Sequence, residues 1–424
     1  MTKTEFQEAM HFGLGRAILY ARDNHVQPFR DVILDACLHS RGVDPQCEGA
    51  RADYMFELVN ILADRQFYFD EVLRALPKAG DDWDAMQLFR FAACMVFDGD
   101  ERAKKVMYES FEPGPNRGEG IAINFVQMDD LKGFLFAASK LGALLLADPG
   151  SKLWANGEWP MSVAIENCGE EETNAALLEA AATDTAIAAY RAQIAKYAED
   201  EPSREVRAKE TYALRYDQLR SKLSGSRAAL TIWGKHASDA ELERAAHGLL
   251  SAQTPEEQIQ HLPIFRWRPF PLGPSGLIEL CLSQDERLGC AAADALTQIA
   301  HPSIREAAFR LIRDRLPARE HAIEMLNRNF EPNDHEVAMN WFETETDSES
   351  RHRMEMDLQQ LWKDHPEPAS EPRMLRALYE RGPCSFCRRY VVERLIEINE
   401  LSESMRAECA FDANEDVRAV AGAG

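Results

Sequence analysis

Runs rich in valine, isoleucine and threonine are scarce in this chain, which removes the usual raw material of a β-sheet. No apolar stretch approaches the roughly 20 residues that a membrane-crossing helix needs; the longest lies near Leu141–Ala147. The first residues, MTKTEFQEAMHFG, hold no basic segment followed by an apolar core, so no secretory signal is expected. Positive charge is in short supply: Lys and Arg number 48 against 71 Asp and Glu, a net charge of −23. A field of that sign repels phosphate backbones and anionic lipid, which disfavours nucleic acid as a partner and argues against a membrane. The nine cysteines are odd in number and lie mostly in apolar helical segments. That suits free thiols in a reducing compartment and predicts a cytoplasmic protein. GxSxG, HExxH and a phosphate loop ending in Lys-Ser/Thr are missing, and no nucleophile–His–acid set has a local motif. No catalytic residue, metal-ligand set or cofactor is therefore predicted.

What is abundant is Ala, Leu, Glu, Arg and Met, within an ordinary 45% hydrophobic content over 424 residues. This predicts helix throughout, with enough apolar surface for a core. The clearest stretch is Gln284–Leu316. Leu288, Ala292, Leu296 and Ile299 mark the stripe of one amphipathic helix, and Ile304, Ala308, Leu311 and Ile312 that of a second. Asp285 is expected to cap the first helix and Pro302 to stop it. A lone helical hairpin cannot bury both stripes; a repeat array supplies the neighbours. Similar spacing recurs at Leu242, Ala246 and Leu250, and further units start near Pro317, Asp347 and Pro383. The period is roughly 31–36 residues, within the range of helical repeats.

The fold expected is all-α: an α-solenoid of stacked antiparallel helix pairs after a more irregular helical N-terminal half. Three regions follow: an N-terminal helical domain over 1–160, Ala-rich and charged connecting helices over 161–237, and the array over 238–424. The pattern apolar-Arg-x-x-Ala-x-x-x-Leu, best seen at Asn414–Ala421 and in part at Ser303–Arg305 and Cys387–Arg388, resembles HEAT repeats. The short HEAT-like repeats of bilin lyases are the nearest in form. At Leu288 the Arg position is taken by Gly289. The resemblance covers about Ser238–Gly424 and implies a stacked-helix fold with a long continuous surface.

Two departures from the repeat are the places to look for function. Glu112–Gly120, EPGPNRGEG, reads as a loop, and Ile121–Gln127 after it as strand-like or extended, so 112–127 is expected to interrupt the helices. Arg117 and Glu119 are its candidate contact residues. His261–Pro274 breaks the array with four prolines and interleaves cations with aromatics at Phe265, Arg266, Trp267 and Arg268. Such side chains stack on, or grip, a partner surface. Cys384-x-x-Cys387 supplies two thiols where a structural zinc site needs four ligands. His335-Glu336 is one pair where the diiron HEAT-repeat hydroxylases it resembles use several. Both read as structural. The acidic run Glu343–Glu349 reads as a solvated turn. The function expected is non-enzymatic: a scaffold or adaptor that binds a protein partner through Phe265, Arg266, Trp267, Arg268, Arg117 and Glu119. The alternative is a HEAT-like nucleic-acid-processing enzyme, or another enzyme, with its site near the interrupting loops.

Overall fold

The structure, a computed structural model, describes residues 1–80, 82–114, 118–148, 153, 157–220 and 226–423. The side chains of 197–205, 207–208, 220 and 423 lie outside that description. Among the described residues every regular element is an α-helix or a 3-10 turn, and none is a strand. The all-α expectation holds to that extent. The helices fall into two compact units, residues 1–201 with 383–424 and residues 202–382. The last forty or so residues belong to the same unit as the first.

In the first unit, helix Lys3–Phe12 opens with a capping box between Thr2 and Glu5. It ends at Gly13, whose φ of 68° suits a residue without a side chain. The segment after it receives the C-terminal helices. The Glu408 carbonyl oxygen comes so close to Gly15 that a Cβ there would sit 1.9 Å from it. The Ala413 amide donates to the Gly13 carbonyl at 2.8 Å. Arg388, in helix Ser385–Glu397, has no exposed side-chain surface. It donates to Asp412 Oδ2 and to the Phe12 carbonyl, each at 2.7 Å. Around this clamp Ser385 bonds Glu48 through both its amide and its hydroxyl at 2.8 Å, and Arg16 pairs with Glu408 at 2.9 Å.

The strand-like expectation for 121–127 is overturned: helix Gly118–Ala147 runs through it. Ile121, Ala122, Phe125 and Val126 occupy one helical face at i, i+1, i+4 and i+5, and all four are buried. Phe125 anchors that face against Phe89, Tyr108, Phe111 and Phe136, with ring centroids 4.9–6.2 Å away. Of the predicted loop, 112–114 are irregular and 118–120 are helical, while 115–117 lie outside the described residues. Within these bounds two helices meet at Asp129–Asp130, where the backbone is non-helical and Asp130 has a φ of 46°. Asp129 is held there by Lys104 and Tyr108, each at 2.6 Å.

In the second unit successive helices pack on their neighbours along the chain. In the central hairpin Asp285 caps helix Glu286–Leu296 by accepting from the Leu288 amide. The helix stops at Leu296, before Pro302, which instead opens helix Pro302–Arg313 behind the His301 cap. Proline at that position lacks only an N–H that the first turn would leave unpaired. Leu288, Ala292, Leu296, Ile304, Ala308 and Leu311 are buried as the stripes predict. Polar bonds between residues thirty apart tie neighbouring hairpins together. Arg328 donates to Gln298, Asn329 to the Ile299 carbonyl, His335 Nε2 to the His365 carbonyl and Arg373 to Glu343, at 2.9–3.1 Å.

The Arg388–Asp412 pair yields a stability prediction. Asp412→Ala leaves a buried guanidinium without its counter-charge and should lower the unfolding free energy by about 3–5 kcal/mol in urea denaturation. The double change Arg388→Met with Asp412→Leu removes both charges and should cost less than the single one. A single change costing under about 1 kcal/mol would show that the clamp is dispensable.

Candidate functional site

The residues singled out in the sequence part company in the structure. Phe265 is 0% exposed and meets Phe270 edge to face at 4.8 Å, so it is core and not a contact residue. Arg268 turns back to the Ala237 carbonyl and Asp239, pinning the 262–274 segment to the preceding hairpin. Glu119 is 1% exposed and so is not presented to a partner. Arg117 lies outside the described residues. Trp267 is 55% exposed, and Arg266 points into a cluster of charged groups. The last two lead to neighbouring sites in residues 202–382.

The first site is centred on Asp294. Its helix runs Cys-Ala-Ala-Ala-Asp-Ala-Leu from Cys290, and only Asp294 interrupts the apolar run. It is nearly buried and gathers cations from three other segments. Asp294 Oδ1 accepts from Arg266 at 2.6 Å and lies 3.4 Å from Arg353 and 3.3 Å from His321 Nδ1. Its Oδ2 accepts from Arg227 at 2.8 Å. Arg353 also reaches Glu324 at 3.4 Å and donates to His321 Nδ1 at 2.8 Å. A guanidinium only donates, so Nδ1 accepts, and the proton of a neutral ring sits on Nε2. That nitrogen faces Glu320 Oε1 at 3.6 Å, which in turn lies 3.9 Å from Cys290 Sγ. A cavity of about 480 Å³ opens beside these groups, walled also by Arg287, Leu230 and Pro263.

Burial sets the protonation states. It holds the His321 ring down to about 3, with Arg353 acting in the same direction, so the ring is neutral at pH 7. Burial raises Glu320 and Glu324, and Arg353 opposes it at both. Asp357 is pushed well above the carboxylate range, by burial first and then by the charge of Glu324. Its Oδ2 is shielded from solvent and has no hydrogen-bond partner. The Cys290 thiol is pushed up to about 12 by burial and then by Glu320 and Glu286.

The second site is a groove of about 820 Å³ with Trp267 at its edge. It is lined by the C-terminal ends of three helices, Glu286–Leu296, Ala322–Asn327 and Ser348–Asp364. Each end contributes side chains with hydrogen-bonding capacity: Thr297 and Gln298 from the first, Asn327 and Arg328 from the second, Gln360 and Asp364 from the third. The helix ends add the partial negative charge of their carbonyls.

His335, Glu336 and Asp347 are engaged within the fold. His335 is buried between Phe330 and Trp362, while Glu336 pairs with Arg373. Asp347 in the acidic run caps helix Ser348–Asp364. All nine cysteines are free. Sequence reading passed over Asp294, Glu320, His321, Glu324 and Arg353, because five side chains from three segments share no local motif. The one available signal was a charged residue inside the Ala-rich stripe, with acids again 26 and 30 positions on. Comparison with protein-family models, with curated proteins and with solved structures finds no match to this chain.

The His321 ring makes stability depend on pH. Unfolded, it takes up a proton near its ordinary value of 6.5; folded, it does so only near 3. The stability it contributes is complete above the unfolded value and is lost as pH falls through 6.5 toward 3. Between pH 7 and pH 5 the native chain should lose about 2 kcal/mol more than His321→Gln, compared by urea denaturation. Parallel losses in the two proteins would contradict a neutral buried ring.

Proposed function

We propose that this chain is a HEAT-like α-solenoid that serves as a non-enzymatic scaffold, holding an extended segment of a protein partner in the groove beside Trp267. The observation that carries the reading is the groove's construction. An exposed indole stands at the edge of a surface assembled from the ends of three helices along the chain. Bonds between residues thirty apart, which a stack of similar units produces, support the solenoid reading.

The chemistry of the lining supports a polypeptide as the occupant. The carboxamides of Gln298, Asn327 and Gln360 each spend one amide proton on Thr297 or Asp364 and keep a second, a donor for a peptide C=O. Trp267 supplies the large rigid apolar contact on which interface energy concentrates. The helix C-termini, Asp364 and a net charge of −23 favour a segment with basic side chains. An enzyme or nucleic-acid processor at the 112–127 interruption draws no support from Glu119, whose side chain is enclosed.

Trp267→Ala should weaken binding of the protein that co-purifies with the native chain by about thirtyfold, or ~2 kcal/mol, with an unchanged melting temperature. Calorimetry on the two purified proteins checks this. Undiminished affinity, or nucleic acid as the sole ligand, would count against the groove.

A further inference from the structure

We propose that Cys290, Glu320 and His321 form a binding site for one divalent transition-metal ion of the zinc class, with its open side on the Asp294 cavity. The proposal stands apart from the groove reading, since it uses other residues and another opening.

The geometry comes first. The Cys290 sulfur, a Glu320 carboxylate oxygen and a His321 ring nitrogen all lie within 4.8 Å of one another. Glu320 Oε1 is 3.6 Å from His321 Nε2 and 3.9 Å from Cys290 Sγ. Tetrahedral zinc, with bonds of roughly 2.0–2.3 Å, sets its ligand atoms about 3.3–3.7 Å apart, so small side-chain rotations close the set. The residues are also well held. His321 is 2% exposed, and Glu320 precedes it in the 3-10 turn Pro317–His321, which presents both side chains to helix Glu286–Leu296. All three line the cavity of about 480 Å³, which leaves room for a water or ligand at the fourth position.

A second set beside it, Asp294, His321 and Glu324, also satisfies the distances but already holds a cation. Arg353 Nη2 lies 2.8 Å from His321 Nδ1 and 3.4 Å from both carboxylates, the place an ion would take. Arg353 is bonded to the ring on the Nδ1 side, and Nε2 faces Glu320. There Glu320 Oε1 stands 3.9 Å from Cys290 Sγ and 3.6 Å from His321 Nε2. The donor set itself, one sulfur, one imidazole and one carboxylate, suits zinc or cobalt(II) and is unsuited to calcium or magnesium.

Binding has a defined proton balance. The thiol proton leaves to solvent as Cys290 becomes a thiolate, and any proton on Glu320 leaves with it. The ring stays neutral: its proton moves from Nε2 to Nδ1, and Nε2 takes the metal. Nδ1–H then donates to Asp294 Oδ1, 3.3 Å away, an outer-shell carboxylate of the kind that fixes a ligating histidine. Arg353 gives up its bond to the ring and keeps Asp294 and Glu324.

The test is a Co²⁺ titration of the full-length chain, stripped with chelator and kept reduced. One equivalent should bind, with the near-ultraviolet sulfur-to-cobalt charge-transfer band of a thiolate ligand. Cys290→Ser should abolish that band. Glu320→Gln, at a partly exposed position, should weaken binding by at least about tenfold, a loss that even outer-shell changes cause. Circular dichroism verifies that each variant is folded, and Glu320→Gln stands as the test if Cys290→Ser is not. Absence of a thiolate band in the native chain overturns the proposal. So does a band that survives Cys290→Ser and vanishes with Cys384→Ser, or an affinity that Glu320→Gln leaves unchanged.

Discussion

An amphipathic helix too short to stand alone must bury its stripe on a neighbour, and residues 202–382 meet this constraint at regular intervals. Most of the helices there have seven to thirteen residues, below the length at which a helix is stable in water by itself. Apolar stripes such as Leu288–Leu296 and Ile304–Leu311 provide the burial. Polar bonds between residues thirty apart fix which helix meets which: a one-turn slip would strand Arg328, Asn329, His335 and Arg373 at once. The groove beside Trp267 is a product of this constraint. Helices held in register bring their ends together, and the side chains at those ends become one surface.

The same register places charge where the stripe should be apolar. Asp294 is nearly buried, and a carboxylate there is tolerable only with counter-charges. Arg227, Arg266 and Arg353 supply them from other segments. The cluster then spreads to Glu320, Glu324 and Asp357, whose carboxyls burial pushes toward the neutral form. Charges buried as Asp294 is are often no more stabilising than apolar residues of similar volume would be. Their presence beside a cavity draws attention to that place, and the cavity and the groove are separate openings in one helical frame.

Much of the fold was legible in the sequence because apolar spacing is a local signal. The stripes of the central hairpin and the Asp285 cap could be read from a few residues. Two local readings failed for physical reasons. Pro302 serves as the first residue of a helix as readily as it ends one. Ile121–Gln127 carries enough β-branched and aromatic side chains to look extended, yet its i, i+4 pairs Ile121–Phe125 and Ala122–Val126 are buried, with Phe125 in the aromatic core of the first unit. The clamp of Arg388 on Asp412 and Phe12 was out of reach, since its partners are 24 and 376 residues away. At the candidate sites the sequence singled out the segment 261–274, but could not divide it into the buried Phe265, the anchor Arg268, the cluster-facing Arg266 and the exposed Trp267.

The central claim is that the groove at the ends of these helices receives a protein segment. The most direct measurement is photo-crosslinking in the native cell, with a light-activated amino acid placed singly at positions 267, 360 and 97. Phe97 is an equally exposed apolar side chain in the other unit. The account predicts that positions 267 and 360 capture one and the same protein and that position 97 does not. Capture of nucleic acid alone, or the same proteins from all three positions, would contradict it.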